Sequence, residues 1–242
     1  MHDCGPTSPD RRQWRLAELP AGCPPLCGIQ FPRAAAILHR DTRFDWPPPF
    51  TTFRDPPANS IAVSVSSGGS ELSTLLGLFY RRPEELGRFE RIAAESLPEP
   101  CRALLAHSRH MTVAMENYHR SPVDVRVLET NTSGHRYARR ILLVRHSDGR
   151  VVQFGIMRLN FDNFSPEVRR DVESQSAPLG RILIQHNVLW QIELTALWKI
   201  SPGTDLCRLF GIGPRQITYG RTAVIRCGQE PAIELLEIAA PG

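Results

Sequence analysis

Apolar residues recur along this chain at two periods, and the change between them divides it. Between Glu71 and Arg82, Leu72, Leu75, Leu76, Leu78 and Phe79 recur near helical spacing, which predicts an amphipathic helix. Pro83-Glu84-Glu85 has proline in a first turn and acids at the positive end of a helix dipole, so a second helix is expected to run to about Ser96. Two further helical pieces are expected at about Glu99–Ser108 and Met111–Tyr118. After that the period falls to two. Val123–Thr130 alternates as a strand, and Tyr137–His146 and Val151–Asn160 flank an Asp148-Gly149 turn that accepts the positive φ a tight hairpin needs. Ser165-Pro166-Glu167 predicts a capped short helix, and Pro178 starts another. Leu189–Ile200 reads as a long strand. Gln216–Cys227, a Gly228-Gln229 turn and Ala232–Ala239 read as a second hairpin. The expectation is an α+β fold: about six strands, mostly antiparallel, flanked by helices.

The first 60 residues do not share this patterning. They hold 11 of the 21 prolines, including Pro47-Pro48-Pro49 and Pro56-Pro57. Proline fixes φ and removes an amide donor, so regular core elements are not expected there. Residues 1–68 are read as a mostly irregular extension, with contacts to the domain expected through Ile29, Phe31, Ile37 and Leu38. Residues 69–242 are read as the folded domain. The extension shows no helix-turn-helix pattern, which argues against a fused DNA-binding module.

Composition narrows the function class. No apolar run reaches the roughly 18–20 residues of a membrane span, and Met1-His2-Asp3-Cys4 lacks a signal-peptide layout; a cytoplasmic protein is expected. The net charge of +4 is carried almost wholly by arginine, with Lys199 the sole lysine. No basic block interleaved with aromatics points to nucleic acid, so a small anionic partner fits the charge better. Cys23-Pro-Pro-Leu-Cys27 has half of a zinc-site spacing but no second pair at ligand spacing, so no metal is expected.

Two charges stand inside apolar strands. Alternation places Arg139 on one face with Tyr137, Ile141 and Leu143. A buried guanidinium calls for a carboxylate, because its planar donor fork matches two oxygens; a structural ion pair satisfies that as well as a ligand does. In the last strand Glu237 shares a face with Ile233, Leu235 and Ala239, and Glu234 shares the other with Leu236 and Ile238. Both faces are apolar, so alternation alone does not choose the inward acid. A buried acid of this kind is suited to proton transfer. Pro178-Leu179-Gly180 opens a helix whose free amides suit an anion or simply form a cap, and Met111 begins another helix.

The ordered set of these segments resembles the chorismate pyruvate-lyase family and its wider superfamily. The resemblance covers roughly residues 100–241. It rests on the His110-Met111-Thr112 helix start, the Tyr137-Ala138-Arg139-Arg140-Ile141-Leu142-Leu143 strand with its Asp-Gly hairpin, the Pro178-Leu179-Gly180-Arg181 helix start, and Glu234-Leu235-Leu236-Glu237 before Pro241. It implies a six-stranded antiparallel sheet with helices closing over a buried ligand. It implies Met111, Arg139, Leu179 and Glu237 as substrate-binding positions. Arg139 would hold a ring carboxylate, and Glu237 rather than Glu234 would act at the opposite end of the ring. The implied reaction is elimination of pyruvate from chorismate to give 4-hydroxybenzoate, with Arg139 and Glu237 as catalytic residues and no cofactor. The interval from Pro231 to Glu237 is one residue longer than in the family, which implies either a bulge or a displaced acid. Because one fold hosts many functions, two other readings stand beside this one. One is a lyase acting on a related enolpyruvyl or hydroxybenzoate-like substrate. The other is a non-catalytic small-anion sensor.

Overall fold

The computed structural model describes residues 68–188, 190–227 and 230–241. The proline-rich extension, its four apolar contact residues, Cys23, Cys27 and the Gly228-Gln229 turn lie outside the described residues.

Seven antiparallel strands among the described residues form one sheet. They are β1 (Gly87–Ile92), β2 (Val123–Ser133), β3 (Arg136–Arg145), β4 (Val151–Asn160), β5 (Gln191–Pro202), β6 (Thr218–Cys227) and β7 (Glu230–Ala239). Their order across the sheet is β1-β5-β6-β7-β4-β3-β2. The α+β expectation holds, with one strand more than the six expected. The extra strand is β1, in the stretch where Pro83 was expected to start a long helix. Only a single 3-10 turn, Pro83–Glu85, forms there. The chain then pairs with β5, from Gly87 opposite Pro202 to Ile92 opposite Leu197. Phe89 sets its ring edge-on to Trp198 at 6.2 Å. Six ladder partners and an aromatic contact outweigh a local helix signal, because propensity amounts to only tenths of a kcal/mol per residue.

Helices cover both faces of the sheet. On one face α1 (Gly68–Gly77) and α6 (Thr204–Phe210) enclose Leu142, Phe154, Ile156, Trp198, Ile200, Leu236 and Ile238. No periodic pattern announced α6, which is seven residues long and has one buried side chain, Leu206. The other face carries two separate apolar clusters. One is formed with α2 (Cys101–Leu105) and α3 (Met111–His119), the other with α4 (Pro166–Ser174) and α5 (Leu179–Gln185). The seam between those clusters places the candidate site.

Local chemistry sets the joints. Ser165 Oγ accepts the amide of Val168 and starts α4 as its sequence predicts. At the β3–β4 hairpin Gly149 takes φ +69°, and Arg145 Nε donates to Asp148 across the turn at 2.8 Å. Gly203 lies tightly between β5 and α6: a Cβ there would meet the Glu84 and Glu85 carbonyl oxygens at 2.2 and 2.4 Å. Gly203→Ala is therefore expected to lower stability by about 2 kcal/mol or more, the scale of overpacking a core. Gly213→Ala, where a Cβ meets nothing within 4 Å, should stay within about 0.5 kcal/mol. Urea unfolding of both variants tests the contrast.

Candidate functional site

The two clusters on the second face leave a gap over the middle of the sheet, and the structure brings Met111, Arg139, Leu179 and Glu237 together around it. The cavity is narrow, about 50 Å³. Its walls are Ile141, Leu143, Met157, Ile192, Ile225 and Leu235 from the strands, with His110, Met111, Thr112, Pro178, Leu179 and Gly180 above them. The starts of α3 and α5 meet closely: a Cβ on Gly180 would lie 2.9 Å from Thr112 Oγ1. Arg181 of α5 ion-pairs with Glu116 of α3 and donates to the Val123 carbonyl at 3.2 Å, so the two helices form one roof.

Glu237 faces the cavity despite the longer interval before it. On β7, Ile233 pairs with Ile225 while Pro231 pairs with Arg226, so Ala232 is the extra residue of a bulge. A bulge adds a residue without turning the rest of the strand over. Glu237 is thus inward, and Glu234 lies on the other face, bound to Arg158 at 2.5–2.7 Å.

The inward acid is not free. Arg221 on β6, opposite Glu237 in register, donates from Nε to Glu237 Oε2 at 2.7 Å and is fully buried. Its other donors reach the carbonyls of His107 at 2.7 Å, Arg109 at 3.1 Å and Leu105 at 3.5 Å, and His107 Nδ1 at 3.2 Å. Arg221 therefore ties the segment between α2 and α3 to the sheet. Sequence reasoning did not single it out, although the signal was the one that picked Arg139: an arginine alternating with Tyr219, Ala223 and Ile225.

Arg139 is different. It is 1% exposed, its Nη atoms reach the Val172 and Ala177 carbonyls, both at 3.5 Å, and the Tyr137 hydroxyl lies beside the guanidinium. The carbonyl contacts are at the outer limit of a hydrogen bond. Its Nε has no partner, and no carboxylate among the described residues pairs with it. Burial holds its guanidinium below the usual value, although an arginine remains charged at neutral pH. The hydroxyl of Tyr137, two residues along the same strand, is buried beside Arg139; burial pushes its pKa up, and Arg139 and Gln175 oppose that shift.

Two histidines lie close to Arg221, and one of them, His110, lines the cavity. Burial, then Arg221, lowers His110 to about 4; burial, then Arg221 and Arg109, lowers His107 to about 4. The Nε2 atoms of both are buried and unbonded. The Trp190 ring, partly exposed, packs edge-on against His110 at 3.9 Å.

No family model matches this chain, and no curated protein matches it. Solved structures do. The chain is similar to the ligand-binding domain of a GntR-family transcriptional regulator from Bordetella bronchiseptica, at 14% identity and TM-score 0.37, over 48% of this chain and 85% of that one. It is similar to the effector domain of PhnF from Mycobacterium smegmatis, at 12% identity and TM-score 0.41, over 55% and 88%. A longer PhnF structure from the same organism matches at 12% and 0.43, over 71% and 93%. The likeness is one of fold. The first is described as a regulator's ligand-binding domain and the second as an effector domain, not as lyases, and the expectation of a chorismate lyase enzyme is corrected on that finding. The ion pair supplies a physical reason. Glu237, cast as the acid at the departing ether, is an acceptor locked to a guanidinium. Among the described residues no helix is long and apolar enough to cross a membrane.

Two measurements follow. Arg221→Met leaves Glu237 buried without its cation, which should cost about 3–5 kcal/mol, and adding Glu237→Leu should restore at least about 1 kcal/mol. Equal stability of the single and double variants in urea would show that the pair is not coupled. For the histidines, a folded pKa of about 4 against the usual 6.5 means that the unfolded chain binds more protons between those values. Their contribution is complete above pH 6.5 and is lost as pH falls toward 4. The double variant His107→Asn/His110→Gln should show a shallower stability loss over that window than the parent; matching slopes would refute the assignment.

Proposed function

We propose that this domain binds a small organic anion and acts as a sensor of it, without chemical turnover. The observation that carries the reading is Arg139: a fully buried guanidinium with no acidic partner among the described residues, two long carbonyl contacts, the Tyr137 hydroxyl beside it and an unbonded Nε, lining a cavity. An unpaired buried charge is costly, and a carboxylate or phosphate of a ligand meets the deficit with a bidentate, charge-assisted pair. Met111 and Leu179 supply apolar contact beside it in this reading, and Arg139 and Glu237 mark opposite sides of the ligand. The apolar walls suit a compact, largely hydrocarbon middle. The cavity is narrower than a ring-sized ligand, so binding includes a parting of the α3–α5 roof. Glu237, held by Arg221, shapes the pocket rather than giving up a proton.

Calorimetric titration with a panel of small carboxylates, phosphates and sugar acids should identify binders. Each bound compound should be recovered unchanged. Arg139→Gln should weaken the best binder at least about tenfold, the loss of one charge-assisted pair. Unchanged affinity in that variant, or conversion of the bound compound, would sink the reading.

A further inference from the structure

The bulge at Ala232 does more than keep Glu237 inward: it also ends a ladder. β4 and β7 pair from Gln153 opposite Ala239 to Leu159 opposite Ile233, and the next pair would be Asn160 with Ala232. Ala232 is the residue that β7 carries in excess against β6, and pairing with β4 stops there, as bulges commonly make it do. On its other side Asn160 still pairs with Arg136 of β3. The sheet is therefore open between the ends of β4 and β7, and a pocket of about 200 Å³ lies at the opening. Arg136, Arg158, Asn160 and Glu234 give it polar walls, and Pro231 and Ala232 of the bulge line it as well. Alternation puts Arg136, Arg158 and Glu234 on the sheet face opposite Arg139, Met157 and Leu235, so this pocket is separate from the central cavity. On that face α1 and α6 pack over Ile156 and Leu236, two positions away, and no helix residue lines the pocket.

Donors outnumber acceptors here. Arg158 holds Glu234 through Nη2 alone, at 2.5–2.7 Å, which leaves its Nε and Nη1 for another acceptor. Arg136 is exposed and pairs with no acid among the described residues. Asn160 gives its Oδ1 to the Asp162 amide at 3.3 Å, and its Nδ2 remains a donor. Arg158 and Glu234 cancel in charge, so Arg136 leaves one net positive charge in the pocket wall. A guanidinium fork matches the two oxygens of a carboxylate. A second negative charge on the same ligand would lie beside Glu234 and be repelled. The volume is below the roughly 300–1,000 Å³ of pockets for drug-sized ligands, so the occupant is compact.

We propose that this pocket is a second ligand site, which takes the carboxylate group of a compact monoanionic molecule. Arg136 and Arg158 hold the carboxylate, Asn160 adds a donor, and Glu234 competes with the ligand for Arg158. The site is independent of Arg139 and of the reading given to the central cavity.

The test is an NMR titration of the full chain at neutral pH and constant ionic strength, read at the backbone amides of Arg158, Asn160 and Ala232. The probes are propionate, its neutral amide propionamide, and inorganic phosphate. Propionate should shift these amides saturably, propionamide should not, and phosphate should bind more weakly than propionate. Arg136→Gln should weaken propionate at least about fivefold, the loss of one exposed charge-assisted contact. Glu234→Gln should tighten it at least about threefold by freeing Arg158. Because the two changes have opposite signs, a folding defect cannot imitate both. The proposal is overturned if propionate gives no saturable shift at these amides, or if its shifts spread evenly over the molecule. It is overturned equally if propionamide or phosphate binds as tightly as propionate, or if either variant leaves the affinity unchanged. The amides of Gly155 and Leu179 report the central cavity in the same spectra, so failure there is read separately from failure here.

Discussion

A guanidinium with no exposed surface must have every donor answered, and Arg221 answers its own by drawing distant chain segments around itself. Glu237 comes from the adjacent strand. The carbonyls of Leu105, His107 and Arg109 come from the segment that leads into α3. The position of α3, and through the Arg181–Glu116 pair that of α5, follows from this one charge. The same pair sets the electrostatics of the cavity by cancelling the carboxylate that lines it. The nearby histidines bear the consequence: between burial and a fixed positive charge they are held neutral over most of the pH range.

Arg139 and Arg221 are alike in sequence context and in burial, and they differ in partners. One has a carboxylate at 2.7 Å and a set of carbonyls; the other has two carbonyls at 3.5 Å, the Tyr137 hydroxyl beside it and an idle Nε. The first is a structural ion pair, whose net stabilisation is small but whose disruption is costly. The second carries the proposed anion site. Both lie at the seam between two apolar clusters, where the sheet face is not covered by side chains of its own. A binding function needs this combination of a rigid charged hub and an unsatisfied neighbour more than it needs reactive groups.

Much of the sheet was legible in the chain. Period-two alternation named the strands from β2 to β7, Asp148-Gly149 named a hairpin, and Ser165 and Pro178 named two helix starts. The failures have physical causes. β1 carries a helix-start signal before it and no clean alternation, and only pairing with β5 makes it a strand. α6 is too short for a period. Arg139 and Glu237 were noticed because each interrupts an apolar face, yet Arg221 interrupts one equally, and its importance appears only when β6 lies beside β7.

Side-chain alternation along a strand is a local property, so the sequence by itself determined which residues share a face, including the grouping of Arg139 with Ile141 and Leu143. Whether a charge on that face is paired is not local. It depends on which strands are neighbours, on the register between them, and on the bulge at Ala232 that keeps Glu237 inward. Those relations bring residues more than a hundred positions apart into contact, as Arg221 and His107 show. They follow from the packing of helices and strands as a whole. The tertiary structure alone therefore decided that the inward acid is bound and that Arg139 faces no carboxylate among the described residues.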